Sequence, residues 1–319
     1  MSEHDGRYAP SPSGPLHLGN LRTALLAWLF ARSQGARFLL RIEDLDPQRS
    51  RAEHERRQLE DLSAIGIDWD GVPLRQSERR DRHREAFEQL RRAGRAYPCW
   101  CTRAEVRRAA SAPHAQDRQG AYPGTCRELT AAQRAQRERS SRAKAWRLDA
   151  CGAIVEFEDL LHGAQSRPVD DFVLWRGDDV PAYNLAVVVD DSDQGVDEVV
   201  RGDDLLESTP RQVLLARLLG LPPIRYAHVP LILGPDGRRL AKRHGAVTLA
   251  DWHGAGASAP ALVGWLAASV GLLAPGASIM PGELLGRFDA GRLRRAATLL
   301  EPAGACQLSQ IGLASADKP

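Results

Sequence analysis

Lysine is nearly absent. Of the 319 residues only Lys144, Lys242 and Lys318 are lysine, so 40 of the 43 cationic side chains are arginine. A GC-rich coding sequence produces such a bias without any demand for phosphate binding. Excess charge of either sign is also missing: 43 cations against 41 anions leave +2 at pH 7, a balance that identifies no partner. No run of about 18 apolar residues occurs, which excludes an apolar membrane-spanning helix. Met1 to Tyr8 is polar and charged with no signal-peptide core behind it, so a cytoplasmic location is expected. The five cysteines are odd in number and unevenly spaced, which excludes a small disulfide scaffold. There is no internal repeat and no long low-complexity tract.

Hydrophobic residues make up 43% of the chain, enough for a substantial core. At roughly 150 residues per domain, the length suggests about two domains. Gly6 to Ala9 reads as a strand, followed by the turn Pro10-Ser11-Pro12-Ser13-Gly14-Pro15 and a helix from about Leu21 to Ser33. Arg37 to Ile42 reads as a buried strand, completing a βαβ unit of a parallel sheet. A second helix is expected to open on a capping box, Ser50 with Glu53, and to end near Gly66. Between Arg75 and Arg95, eight arginines interleave with Glu78, Asp81, Glu85 and Glu88. This pattern describes a solvated helix laced with ion pairs, or less readily an RNA-facing surface.

From Tyr97 to about Trp146 the apolar period fades, as in an insertion. Core character returns at Phe172 to Trp175 and at Asn184 to Val189. Beyond Asp251 a helical tail sets Leu262, Trp265, Leu266 and Val270 on one face. The expected organisation is 1–95 and 169–230 as two halves of a catalytic domain, 96–168 as an insertion between them, and 231–319 as a loop with a helical subdomain.

Two segments suit phosphate chemistry. Ala9-Pro10-Ser11-Pro12-Ser13-Gly14-Pro15-Leu16-His17-Leu18-Gly19-Asn20 lies between strand and helix, where free backbone N–H groups and the positive helix end attract anions. His17 could donate to phosphate oxygens, and Gly19 would let a nucleotide approach the backbone. Gly234-Pro235-Asp236-Gly237-Arg238-Arg239-Leu240-Ala241-Lys242-Arg243 is a basic loop carrying one of the three lysines, a point charge suited to a moving phosphate. A third pattern is Cys99, Cys101 and Cys126 with Tyr122 or His114 nearby. Three thiolates and one further ligand can complete a tetrahedral structural zinc site. Cys151 and Cys306 have no partner at ligand spacing.

The first two segments resemble the two signatures of class I aminoacyl-tRNA synthetases. Asn20 stands where the family has a second histidine; Arg239 and Ala241 replace its usual first lysine and serine. Arg7 to Gly14, Arg41-Ile42-Glu43-Asp44-Leu45-Asp46, Pro181 to Ala186, and Asp190-Asp191 with Glu198 to Asp204 are similar to the glutamyl branch in particular. The resemblance implies an α/β fold, a Rossmann-type parallel sheet with a zinc-bearing insertion and a C-terminal helical subdomain. It implies glutamate binding by Arg7, Tyr8, Ala9, Pro10, Ser11, Glu43, Tyr183 and Arg201. Arg7 and Arg201 would meet the carboxylate and Glu43 the α-ammonium group. ATP with Mg²⁺ would be bound by His17, Gly19, Asn20 and Lys242, with His17 and Lys242 catalytic.

The Cys99, Cys101, Tyr122, Cys126 order resembles a truncated branch of the glutamyl enzymes, which favours Tyr122 over His114 as the fourth zinc ligand. With about 75 residues beyond Lys242, a helical subdomain is expected there and no anticodon-binding domain, as in that branch. The implied partners are ATP, L-glutamate and tRNA(Asp) bearing queuosine, and a monomer with no membrane association is expected. Rival readings are a short synthetase charging tRNA(Glu), a non-catalytic tRNA-binding relic, and a small-molecule nucleotidyltransferase.

Overall fold

The structure is a computed structural model and describes residues 4–102, 104–106, 122–234, 236–238, 240 and 247–300. Lys242, Arg239, Ala241, His114 and Cys306 lie outside the described residues.

The chain opens with β1 (Gly6–Tyr8), α1 (Leu18–Arg32) and β2 (Phe38–Ile42). Helix α1 begins three residues earlier than its apolar period suggests, because His17 and Asn20 cap it reciprocally. His17 Nδ1 accepts from the Gly19 and Asn20 backbone, and Asn20 Oδ1 accepts from the His17 N–H. The next helix, α2 (Ala52–Ala64), follows Arg51, which makes no side-chain cap hydrogen bond. The Ser50–Glu53 box does not form. Instead the Arg51 N–H bonds the Pro12 carbonyl, so the helix start is fixed by the proline-rich turn.

After β3 (Leu74–Arg75) comes α3 (Arg80–Arg92), which buries His83, Ala86, Phe87 and Leu90. Its arginines are not merely solvated: Arg82 reaches Asp193, while Arg80 and Arg84 reach Asp179, tying the helix to distant segments. Strand β4 (Ala96–Cys99) and α4 (Ala131–Glu138) lead to β5 (Ala145–Leu148), the hairpin β6 (Ile154–Asp159) with β7 (Gly163–Pro168), and β8 (Val173–Trp175). Helix α5 (Tyr183–Asp193) contains the apolar Asn184–Val189 run. Then follow β9 (Glu198–Gly202), α6 (Thr209–Leu219), β10 (Arg225–Val229) and β11 (Ile232–Leu233). The last helices include α7 (Leu249–Gly254) and α8 (Ala259–Ser269), which buries Leu262 and Leu266 in the main core.

The main sheet has the order β3-β2-β1-β9-β10-β6-β7, parallel except for the last pair. A separate antiparallel sheet has the order β4-β5-β8. Strand pairing therefore crosses the segment boundary at 168: the β6–β7 hairpin joins the main sheet, and β8 joins the small one. No described helix is long and apolar enough to cross a membrane.

Alternation along the central strands separates two kinds of face. Tyr8, Phe38, Leu40, Val200, Ala227 and Val229 join α1 in the apolar core. The opposite face carries Arg7, Arg41, Arg201 and His228, all buried. A parallel sheet covered on both sides normally reads as continuous apolar strands. Here the interruptions by charge mark the face where chemistry can be built. The strand order reverses between β1 and β9, and ligands of such sheets bind beyond the carboxyl ends of strands at that reversal.

Candidate active site and cysteine cluster

At that reversal lies a cleft of about 1180 Å³. The end of β1 and the following turn supply Arg7, Tyr8, Ala9, Pro10 and Ser11 to its wall; β2 leads to Glu43, and β9 supplies Arg201. The turn is braced by Gln58 of α2, whose amide donates to the Ser11 carbonyl at 3.0 Å and the Gly14 carbonyl at 2.7 Å. The Glu43 N–H bonds the Pro10 carbonyl at 2.9 Å, which fixes the two strand ends together. Tyr183, the first residue of α5, stands across the cleft with 39% of its surface exposed.

His17, Gly19 and Asn20 line the same cleft. Because His17 Nδ1 accepts from the helix backbone, the ring proton sits on Nε2. The imidazole is thus oriented by the helix it caps. A Cβ on Gly19 would lie 3.0 Å from His17 Cε1 and 3.1 Å from Nδ1. Glycine is needed there first to admit the histidine ring. Both flanks of the lysine loop reach the site, since Leu240 and Thr248 line the cleft. His17 also forms an isolated antiparallel bridge with Thr248, and the Leu18 N–H bonds the Val247 carbonyl at 3.0 Å.

The charges behind the cleft are largely paired. Asp191 of α5 accepts from Arg7 Nε at 3.1 Å and from Arg41 Nη1 at 2.5 Å. Burial raises the Asp191 carboxyl, but Arg41 and Arg7 outweigh it and hold the group below its ordinary range. Arg41 also approaches Glu43 at 3.4 Å. For Glu43 burial prevails over Arg41 and Arg7, and its carboxyl is pushed up. A carboxylate kept short of full compensation is suited to receiving an ammonium group. Arg201 is bound by His228 and Thr209, and its Nη1 is buried without a hydrogen-bond partner among the described residues.

A second constellation lies between the end of β4 and the start of α4. The sulfurs of Cys99, Cys101 and Cys126 lie within 4.8 Å of one another. The Tyr122 hydroxyl is 3.4 Å from the Cys99 sulfur and 3.6 Å from that of Cys101, and it accepts from the Cys126 N–H at 2.8 Å. Zinc–sulfur bonds of about 2.3 Å in a tetrahedron set sulfurs roughly 3.8 Å apart. The 3.5 Å separation of Cys101 and Cys126 fits that demand, so the donor set could hold a metal ion. Arg147 lies behind it, with Nε 3.3 Å from the Cys99 sulfur and its guanidinium carbon 3.8 Å from the Tyr122 ring centroid. Cys151 is exposed and apart from this cluster.

Residues 5–268 match the catalytic domain of the class I tRNA synthetases (E and Q). A glutamyl-Q tRNA(Asp) synthetase of Nocardia farcinica is 59% identical over 305 residues, covering 96% of each chain. The chain belongs to this synthetase family. Glutamate–tRNA ligase 1 of Acidithiobacillus ferrooxidans is 44% identical over 263 residues, 82% of this chain and 55% of that one. The crystal structure of a glutamate tRNA ligase from Elizabethkingia meningosepticum, in complex with its amino acid, superposes with a TM-score of 0.80. It is 28% identical and covers 97% of this chain and 69% of its own.

Within this class I synthetase, the described residues proposed from sequence for small-molecule binding all line one cleft. Lys242 lies outside the described residues. Sequence reasoning missed Asp159, Thr209 and His228, which reach Arg201 only through the fold. The signal available was slight: a histidine inside an otherwise apolar strand, His228 in Tyr226-Ala227-His228-Val229.

Proposed function

We propose that the chain activates glutamate with ATP and transfers it to queuosine at the first anticodon position of tRNA(Asp), in the cytoplasm and as a monomer. The observation that carries the amino-acid reading is Arg201, whose buried Nη1 has no partner among the described residues and which lines the cleft together with Glu43. An arginine fork suits a side-chain carboxylate, and Glu43 suits the α-ammonium group. The similarity to proteins named glutamyl-Q tRNA(Asp) synthetase supports the choice of tRNA.

In the first step a glutamate α-carboxylate oxygen attacks the α-phosphorus of ATP. The bond from the α-phosphorus to the α,β-bridging oxygen breaks, and pyrophosphate leaves; Mg²⁺ bound with ATP would offset the charge of the phosphates. His17 Nε2–H and Lys242 would stabilise the phosphate charge during the displacement. In the second step a hydroxyl of the queuosine cyclopentenediol attacks the glutamyl carbonyl, forming an ester and releasing AMP. Cys99, Cys101, Cys126 and Tyr122 would hold a structural zinc ion, which fastens the insertion. The rest of the proposed organisation has 1–95 and 169–230 as the catalytic halves, 96–168 as the insertion and 231–319 as the signature loop with its helical subdomain, with β6–β7 of the insertion completing the main sheet and β8 completing the small one.

Transfer of labelled glutamate to purified tRNA(Asp), with and without queuosine and beside tRNA(Glu), tests the proposal. Label confined to queuosine-bearing tRNA(Asp) is expected. Label on tRNA(Glu) would make the chain a short aminoacylating synthetase. Binding of tRNA without glutamate-dependent ATP–pyrophosphate exchange would make it a relic.

A further inference from the structure

Arg201 differs from the arginines beside it in how its charge is held. Arg7 and Arg41 share the Asp191 carboxylate. Arg201 is equally buried, yet no carboxylate among the described residues forms an ion pair with it, and the acceptors it uses are neutral. Its Nε donates to His228 Nε2 at 3.1 Å, and its Nη2 donates to Thr209 Oγ1 at 2.8 Å. The third nitrogen, Nη1, is buried without a partner among the described residues, as is Arg41 Nε, but of the two residues only Arg201 lines the cleft.

His228 Nε2 can accept only if the ring proton sits on Nδ1. That nitrogen lies 2.6 Å from Asp159 Oδ2, at the end of β6. The Asp159 carboxylate is itself fixed, because Oδ1 accepts from the Leu161 and His162 N–H groups at 3.0 Å each. The pairing of Tyr226 with Asp159 brings β6 against β10 at this point. Other groups facing His228 leave the arrangement intact: Thr209 Oγ1 lies 3.0 Å from the same Nε2 and can donate to it, the Tyr226 ring stacks beside it, and His162 Nε2 bonds its backbone carbonyl at 3.0 Å. Burial lowers the His228 pKa against the pull of Asp159, which favours the neutral ring that the geometry requires.

We infer that Asp159, His228 and Thr209 form a positioning relay that holds Arg201 by neutral acceptors, leaving its full positive charge and the Nη1 donor for the side-chain carboxylate of the amino-acid substrate. This rests on the proposed activation of glutamate. An acidic residue in place of His228 would hold the guanidinium equally well but would neutralise it. A neutral amide substrate would leave the buried charge uncompensated, so the relay also serves to reject glutamine.

Asp159→Asn keeps the size of the group but puts an N–H toward His228 Nδ1. The ring proton should move to Nε2, where it opposes the Arg201 Nε–H. Thr209→Val removes the other acceptor while leaving Asp159 and its backbone bonds in place, which covers an Asp159 variant that fails to fold. The measurements are glutamate and ATP KM in pyrophosphate exchange, with the imidazole ¹⁵N shifts of His228 assigned by loss in His228→Gln.

The expected result is a wild-type ring protonated on Nδ1 and an Asp159→Asn ring protonated on Nε2. Glutamate KM should rise about tenfold or more in Asp159→Asn and several-fold in Thr209→Val, with ATP KM held within about threefold. A wild-type ring protonated on Nε2, unchanged glutamate KM in the folded variants, or an equal rise in ATP KM would overturn the relay. Absence of glutamate-dependent exchange in the wild type would instead overturn the functional reading, and the relay's substrate role with it.

Discussion

The cleft and the cysteine cluster bring polar atoms together by different means. In the cleft, Arg7, Arg41, Arg201 and His228 come from four adjacent parallel strands, and the two-residue period of each strand sets which face they share. Asp191 of α5 and Asp159 of β6 compensate Arg7, Arg41 and His228, while Arg201 is held by neutral acceptors and has no ion-pair partner among the described residues. In the cluster, Cys99 and Cys101 sit at and just beyond the end of β4, while Tyr122 and Cys126 come from irregular chain. There the donors face one another across a few ångströms, an arrangement that makes sense around a cation. A site for an anionic substrate is built by compensating most of the charge and holding back one group. A metal site is built by bringing like donors together and leaving the compensation to the ion.

The sharpest way to break this contrast is to remove the shared counter-charge. Asp191→Ala leaves two buried guanidinium groups without their common carboxylate, and unfolding should become easier by about 3–5 kcal/mol. Urea titration checks this. A loss no larger than a surface substitution gives would mean that the arginines find other partners and that the strand face is not charge-compensated as described. Lys242→Ala should come next in size, in activity and not in stability. Pyrophosphate exchange should fall about 10²-fold or more, with the thermal midpoint unchanged. Near-normal exchange would remove Lys242 from the chemistry.

The difference between the two regions also explains what could be read in advance. The βαβ start was legible because proline and glycine punctuate it and Arg37 to Ile42 is long enough for a buried strand. The start of α1 was misplaced by three residues, since His17 and Asn20 cap through side chains that the apolar period does not register. Ser50 and Glu53 had the right spacing for a cap, but Arg51 is held by Pro12 from another part of the chain. The cysteine pattern was legible as a whole because its members lie close together in sequence, between Cys99 and Cys126. The relay was not, because Asp159 and His228 are 69 residues apart and meet only through strand register.

A more selective cut separates metal from chemistry. Purified protein should contain about one zinc per chain. Tyr122→Phe should weaken zinc retention in a chelator competition while leaving glutamate-dependent exchange close to that of the wild type. Full zinc retention by this variant would point to His114 or water as the fourth ligand, and the cluster would then be less self-contained than Tyr122 makes it.

The smallest expected effect lies in the pH dependence of folding, and it too divides the regions. The folded-state pKa of His228 is lowered by burial below its ordinary 6.5, despite Asp159. Between the two values the unfolded chain binds the proton and the folded chain does not, so stability increases with pH. The contribution is fully present above 6.5 and is lost as pH falls through the lowered folded value, with a slope of at most about 1.4 kcal/mol per pH unit. The Asp159 carboxyl acts in a separate window. Burial raises it, but the His228 hydrogen bond and charge bring it below its ordinary 3.8, so its contribution is lost only in stronger acid. Urea titrations of wild type and His228→Gln should therefore diverge between pH 8 and 5, the variant lacking the decline that begins near 6.5. Zinc affinity also weakens in acid as thiolates are protonated, so the comparison should be repeated after chelation. If the decline survives chelation but vanishes in His228→Gln, it belongs to the cleft. If it vanishes with the metal, the cysteine cluster is the acid-sensitive region and the buried histidine is not.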